Sequence, residues 1–310
     1  MVKDPGGRLK VAILYPNTYQ VGMANLGLAV IYRLINARPD ALCERAFLPG
    51  RGAQAIYAKT GEPLASLESS RPVAEFDLVL ATLSFENDAP NLASMLQHAG
   101  LGFYADSRQG PLVVAGGVAA MLNPEPYAPL MDGFLLGEAE VVLESFLEAF
   151  LAGADLPRAE LLLSLAQAVP GFYAPAFYRP EYAADGTLAS FRSVAEVPER
   201  ISAPKYQGPA SGLAKRAVRV LQGGRGQGRP PEFGDMTLLE VGRGCGHGCR
   251  FCAAGHVNRP PRLGCGDDFS AAALDAAKEG SKVGLVSAAV SDLPGGAELA
   301  QSVVTAGGRV

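Results

Sequence analysis

Short apolar runs, each closed by polar or glycine residues, set the rhythm of the first half of the chain. Residues 10–15 (KVAILY) end at Pro16-Asn17 and are followed by residues 26–36, whose apolar positions recur at helical spacing. Similar runs stand at 44–48, 77–82 (DLVLAT), 111–115 (PLVVA) and 133–136 (GFLL), most of them leading into a helical stretch such as 139–152. Short buried strands alternating with helices predict an α/β fold, a doubly wound parallel sheet of the Rossmann or flavodoxin kind covered on both faces. Ligands bind such sheets at the carboxyl ends of the strands, which makes the loops 17–25, 84–88, Gly116-Gly117 and Gly137-Glu138 the candidate positions. Packing alone also accounts for these residues: a glycine pair makes a tight strand-to-helix turn, and Glu138 and Glu140 favour the positive end of helix 139–152.

The middle of the chain changes character. Between 170 and 198, Phe172, Tyr173, Phe177, Tyr178 and Tyr182 surround Ala184-Asp185-Gly186, the signature of a small hairpin. Residues 204–235 are rich in glycine and proline (GGRGQGRPP) and read as a linker, and its Lys215, Arg216, Arg219, Arg225 and Arg229 as solvated charge or an RNA contact. Beyond it come a strand at 236–241 (MTLLEV), a helix at 270–277, a strand at 282–290 (KVGLVSAAV) and a helix at 297–306, the opening of a (β/α) barrel. The expected organisation is therefore 1–160 for the nucleotide-type domain, 161–203 for a connecting helix and hairpin, 204–235 for the linker and 236–310 for the first part of the barrel. Only about 75 residues follow Met236, against about 250 for a complete barrel. The barrel is expected to be incomplete here, cut short or completed by another chain.

A length of 310 residues and 48% hydrophobic content support two cored domains. A net charge of -4 argues against a surface built throughout for nucleic acid. The polar amino terminus is not expected to be a signal peptide, and no uncharged apolar run reaches the ~18 residues of a membrane span. Five cysteines, three of them in one short run, do not form a disulfide framework and point to a reducing cytoplasm.

That run carries the chemistry. Cys245, Cys249 and Cys252 stand in RGCGHGCRFCAAG, a C-x3-C-x2-C spacing directly behind strand 236–241. Four thiolates close a 4Fe-4S cluster, whereas three leave one iron open to a substrate or cofactor. Glycines at 244, 246 and 248 let the loop wrap a cluster without side-chain clashes. With His256 the same cysteines could also form a Cys3His zinc site. Cys43, Cys265, His98 and His247 read as structural or loop residues.

With Phe251 just before the last cysteine, the motif resembles the radical S-adenosylmethionine superfamily. The resemblance implies an open iron that chelates the amino and carboxylate groups of S-adenosylmethionine, and a reduced cluster that cleaves it to a 5′-deoxyadenosyl radical. It implies that Phe251 packs on the adenine and that Ser291 and Asp292 occupy the place where the family holds the methionine amino group. It also implies a reductant such as flavodoxin or ferredoxin. Residues 8–150, with Ala115-Gly116-Gly117, Asn123-Pro124-Glu125-Pro126, Asp132 and Gly137-Glu138-Ala139-Glu140, resemble the cobalamin-binding domain upstream of many radical enzymes. Gly116, Gly117, Gly137 and Glu138 are the cofactor-binding residues so implied. The Asp-x-His-x-x-Gly signature is absent, its loop reading PNTYQVGMAN, so that cobalamin would bind without a protein ligand to cobalt. The substrate, RNA or a small molecule, stays open, as does a non-catalytic alternative: a Rossmann-like binding module with a zinc- or iron-stabilised tail.

Overall fold

Residues 3–208, 218–219, 231–264 and 266–310 are described by a computed structural model of the chain. It divides into two units, one running up to Thr18 and from Ile31–Tyr206, the other made of Tyr19–Val30 and Gln207–Val310. The expected linker residues Lys215, Arg216, Arg225 and Arg229, and Cys265, lie outside the described residues.

In the first unit β1 (Leu9–Tyr15), β2 (Ala41–Phe47), β3 (Leu78–Thr82), β4 (Leu112–Gly116) and β5 (Gly133–Leu135) are parallel, and β6 (Phe172–Tyr173) runs antiparallel to β5. The order is β2-β1-β3-β4-β5-β6. The helices in chain order are α1 (Tyr19–Met23), α2 (Leu26–Ala37), α3 (Arg51–Thr60), α4 (Asp88–His98), α5 (Val118–Leu122), α6 (Ala139–Ala152) and α7 (Arg158–Ala168), of which α1 and the start of α2 belong to the second unit. Ala12, Leu14, Val79, Ala81, Val113 and Ala115 point to one face and join Leu92, Met95 and Leu96 of α4 in a single core. Their neighbours Val11, Ile13, Leu78, Leu80, Leu112 and Val114 point the other way and are equally buried. With a side-chain period of two, burial of both sets means that both faces are covered.

The free edge of β2 is closed by the protein itself. Lys3 donates to the Ala41 carbonyl at 3.0 Å, the Asn36 amide both donates to and accepts from the Cys43 backbone, and Leu67 N–H donates to the Arg45 carbonyl at 2.7 Å. At the amino end of the sheet, Asp132 accepts from Arg108 at 2.8 Å, from Arg158 at 2.6 Å and from the Val113 N–H at 2.7 Å.

The hairpin forms where Asp185-Gly186 places it: β7 (Tyr178–Tyr182) pairs antiparallel with β8 (Leu188–Ser193), and the Asp185 carboxylate accepts the Thr187 N–H across the turn. Together with α7 and this hairpin, the first unit extends to Tyr206.

The second unit has a three-stranded sheet in the order β13-β10-β9, with β10 (Met236–Glu240) and β13 (Lys282–Val286) parallel and β9 (Val218–Arg219) antiparallel. Helices Asp267–Lys278 and Gly296–Thr305 follow the parallel strands in alternation. Phe269, Ala273, Leu299 and Val303 from them pack with Leu239, Val241 and Val283. The strand expected over 282–290 stops at Val286, and Val290–Asp292 is a 3-10 turn. Among the described residues no helix is long and apolar enough to cross a membrane.

Candidate functional site

Strand β10 is buried from Thr237 to Glu240, with Leu238 and Leu239 as its apolar centre, and the chain leaves its carboxyl end through Val241 into β11 (Gly242–Arg243). β11 pairs antiparallel with β12 (Arg262–Leu263), Gly242 opposite Leu263 and Arg243 opposite Arg262. This two-residue ladder closes the loop 244–261, which contains all three motif cysteines. Its root is fixed by Arg243, whose guanidinium grips the Glu240 carboxylate at 2.8 and 2.9 Å. Gly244 has φ +83, and a Cβ there would lie 2.4 Å from the Asn258 carbonyl oxygen. Only glycine lets the two arms of the loop come so close in that left-handed conformation.

Within the loop the described cysteines form no disulfide; Cys249 is exposed and Cys245 and Cys252 are half-buried. Cys245 and Cys252 flank Gly255, with the Cys252 Sγ 3.5 Å and the Cys245 Cβ 3.9 Å from the position a Cβ would take. The Cys252 N–H donates to the Cys249 carbonyl at 3.1 Å, and the His247 N–H to the Cys245 sulfur at 3.4 Å. Phe251 projects with 91% of its surface exposed.

The histidines have other partners. His256 Nε2 donates to the Cys249 carbonyl at 3.3 Å, and His247 Nε2 to the Asp292 carboxylate at 2.5 Å. Asp292, with Ser291, sits in the turn after β13, so the two residues expected near a cofactor share the carboxyl side of the sheet with the cysteine loop. Among the described residues no three His, Cys, Asp or Glu side chains gather closely enough to hold one metal ion. A cluster asks for something different, since each thiolate binds its own iron. Three thiols on one glycine-rich loop, with the imidazoles turned elsewhere, fit that donor set.

In the first unit the strand order places the topological switch point between β1 and β3. There the Asn91 amide, on α4, donates to the Pro16 carbonyl at 2.9 Å, and Asp88 accepts the N–H groups of Ser84 and Phe85 at 2.8 and 3.0 Å. Gly116 ends β4, and Gly117 begins the turn into α5 with φ +115, where a Cβ would lie 2.4 Å from the Leu83 carbonyl oxygen. Gly137 faces Pro204, whose carbonyl accepts the Glu138 N–H at 2.9 Å, while the buried Glu138 carboxylate accepts the Tyr206 N–H at 3.0 Å. The chain's own residues 204–206 thus lie on Gly137 and Glu138. Asp132 belongs to the opposite, amino end of the sheet and is a structural ion-pair residue. Cys43 lies buried in β2, and His98 ends α4.

Sequence reasoning missed the Glu240–Arg243 grip, although a Glu three residues before the Arg-Gly of the motif was its signal. It also missed the return of residues 204–206, which carries no local signal.

Residues 27–175 match a family model described as radical SAM proteins, N-terminal. Over those residues, just under half of its length, the chain resembles the N-terminal part of radical SAM proteins. It is 24% identical over 288 residues to the uncharacterized protein MJ0966 of Methanocaldococcus jannaschii, covering 91% of this chain and 50% of that one. The chain therefore spans about half the length of that relative. Its fold is similar to that of OxsB, described as a cobalamin-dependent S-adenosylmethionine radical enzyme with aqua-cobalamin and S-adenosylmethionine bound, at a TM-score of 0.50 and 14% identity. That likeness covers 96% of this chain and 37% of OxsB.

Proposed function

We propose that the chain holds a 4Fe-4S cluster on Cys245, Cys249 and Cys252 and serves the reductive cleavage of S-adenosylmethionine that starts a radical reaction. The observation that carries this reading is the loop: three thiols, none in a disulfide, presented at the carboxyl end of a parallel strand by a clamped hairpin. When bound, the cluster supplies an electron to the sulfonium and an open iron for the methionine end of the cofactor. The chain's own residues do the rest. The β11–β12 ladder and the Glu240–Arg243 grip hold the loop in one shape, Phe251 offers its exposed ring to the adenine, and Ser291 and Asp292 stand in the turn after β13 to receive the methionine amino group.

The reductant in this reading is flavodoxin or ferredoxin, the substrate RNA or a small molecule, and further βα units come from another chain or another part of a longer protein. The setting is the reducing cytoplasm. The first unit takes a cobalamin at the carboxyl ends of β1, β3 and β4, beside Gly116, Gly117 and the loop 84–88. Gly137 and Glu138 do not fit that contact, because residues 204–206 cover them. The support is the flavodoxin-like strand order and the likeness of fold to OxsB.

Anaerobic reconstitution followed by iron and sulfide analysis tests the reading. A brown chromophore with four irons and four sulfides per cluster is expected, lost on Cys→Ala at 245, 249 or 252 and kept in Cys43→Ala and Cys265→Ala. Zinc held by the three cysteines with no uptake of iron would replace this reading with the metal-stabilised binding module. Equilibrium dialysis against cobalamin tests the first unit, with no imidazole nitrogen expected in the cobalt paramagnetic resonance.

A further inference from the structure

Two bonds converge on residue 247. Its side chain is tied through Nε2 to the Asp292 carboxylate at 2.5 Å, and its backbone N–H points at the Cys245 sulfur at 3.4 Å. A third contact fixes the same residue from the far arm of the loop, where the Arg259 guanidinium donates to the His247 carbonyl at 3.0 Å. His247 is therefore held by its ring, its carbonyl and its amide at once, although it lies in a run flanked by Gly246 and Gly248 that has little stiffness of its own. Asp292 comes from the turn after β13, so the bond joins the loop after the first barrel strand to the loop after the second.

An N–H donated to a ligating sulfur stabilises the more negatively charged, reduced cluster, and hydrogen bonds to sulfur are among the factors that set a cluster's reduction potential. The geometry points to His247 and Asp292 as a positioning pair that sets the reduction potential of the cluster by holding the residue 247 amide against the Cys245 thiolate. This rests on the proposed cluster site and adds to it a role for two residues that ligate nothing. Neither residue touches the reacting atoms in this role.

The sign of the effect separates positioning from simple charge. Removing the Asp292 carboxylate takes a negative charge away from the cluster, which by Coulomb's law alone would favour reduction. Loosening the amide–sulfur bond opposes reduction. Asp292→Ala is therefore expected to lower the potential despite the lost charge, whereas Asp292→Asn, whose amide oxygen still accepts from His247, is expected to stay at or slightly above the wild-type value.

The experiment is a redox titration of the reconstituted 310-residue chain without S-adenosylmethionine, read by paramagnetic resonance of the reduced cluster. At a fixed ambient potential the ratio of reduced to oxidised cluster should fall about tenfold in Asp292→Ala, ~59 mV for one electron, and in His247→Ala as well. A wild-type chain that takes up no cluster overturns the site and this inference with it. A loaded wild type with potentials unchanged or raised in Asp292→Ala overturns the inference alone, as does an Asp292→Asn variant that falls with Asp292→Ala.

Discussion

The Arg108 guanidinium lies 2.8 Å from the Asp132 carboxylate, and both side chains are removed from water, at 0% and 2% exposure. Arg108 also donates to the Leu130 carbonyl at 2.6 Å and the Gly102 carbonyl at 3.1 Å, so its donors are spent on the loops that enter β4 and β5. Asp132→Ala leaves that cation buried and unpaired. It should destabilise the first unit by about 3–5 kcal/mol, more than replacing both partners by apolar residues of similar volume. Urea unfolding followed by tyrosine fluorescence measures this cleanly, because all ten tyrosines except Tyr19 lie in that unit and the chain has no tryptophan.

Gly117 and Gly110 form a matched pair of probes. Both have positive φ, +115 and +88, but only at Gly117 would a Cβ meet backbone, the Leu83 carbonyl, while at Gly110 it meets open space. Gly110→Ala should cost about 1 kcal/mol for its left-handed conformation. Gly117→Ala should cost about 3 kcal/mol, strain and collision together. Equal midpoints for the two variants would show that the β4–α5 turn yields more easily than this packing implies.

Cys43 gives the first unit a pH dependence. Burial pushes its thiol well above the ordinary value, with the Glu68 carboxylate adding to the rise. A group whose folded pKa is raised binds more protons folded than unfolded, so its contribution is full below the unfolded thiol value, about 8.5, and is lost as pH rises above it. Unfolding midpoints should therefore decline from about pH 8.5 upward, and Cys43→Ala should flatten the decline until the half-buried Tyr32 and the buried Tyr173, also raised by desolvation, begin to contribute. An undiminished slope in the variant would assign the effect to the tyrosines.

The bond from the Tyr206 N–H to the Glu138 carboxylate fixes residues 204–206 on the sheet. A hydrogen bond to a charged group contributes about 1.5–3 kcal/mol. Glu138→Ala should raise the rate of trypsin cleavage after Lys205 about tenfold under conditions where local opening limits the cut. Mass spectrometry of the first fragments reads it directly, and an unchanged rate would mean that Pro204 packing alone holds the segment.

How much of this was legible in the chain follows from where the signals lie. Apolar runs are local and long enough to declare themselves, so β1, β3 and β4 stand within about a residue of expectation. Asp185-Gly186 names its own turn, and the cysteine spacing names its loop. β6 did not declare itself because it pairs through only two residues, Phe172 and Tyr173, after a helix of its own. The role of Asp132 depends on Arg108 and Arg158, more than twenty residues away on either side. Residues 204–206 read as linker because proline and glycine composition reports local stiffness and nothing about Glu138. The strand expected to 290 stopped at Val286 because the apolar residues after it turn through Val290–Asp292, which brings Asp292 to His247.

The closed edge of β2 has a bearing on how the first unit behaves among copies of itself. A parallel sheet whose outer strand presents unpaired amides is a template for another chain's strand, and through that for aggregation. Here the outward carbonyls of Ala41, Cys43 and Arg45 are already taken by Lys3, Asn36 and Leu67, and the outward N–H groups of Cys43 and Arg45 by Asn36 and Glu68. A foreign strand could add on that side only by displacing a side chain or a loop at every second residue. The β2 side thus acts as a stop to strand addition, made by the side chains of Lys3, Asn36 and Glu68 and the backbone amide of Leu67.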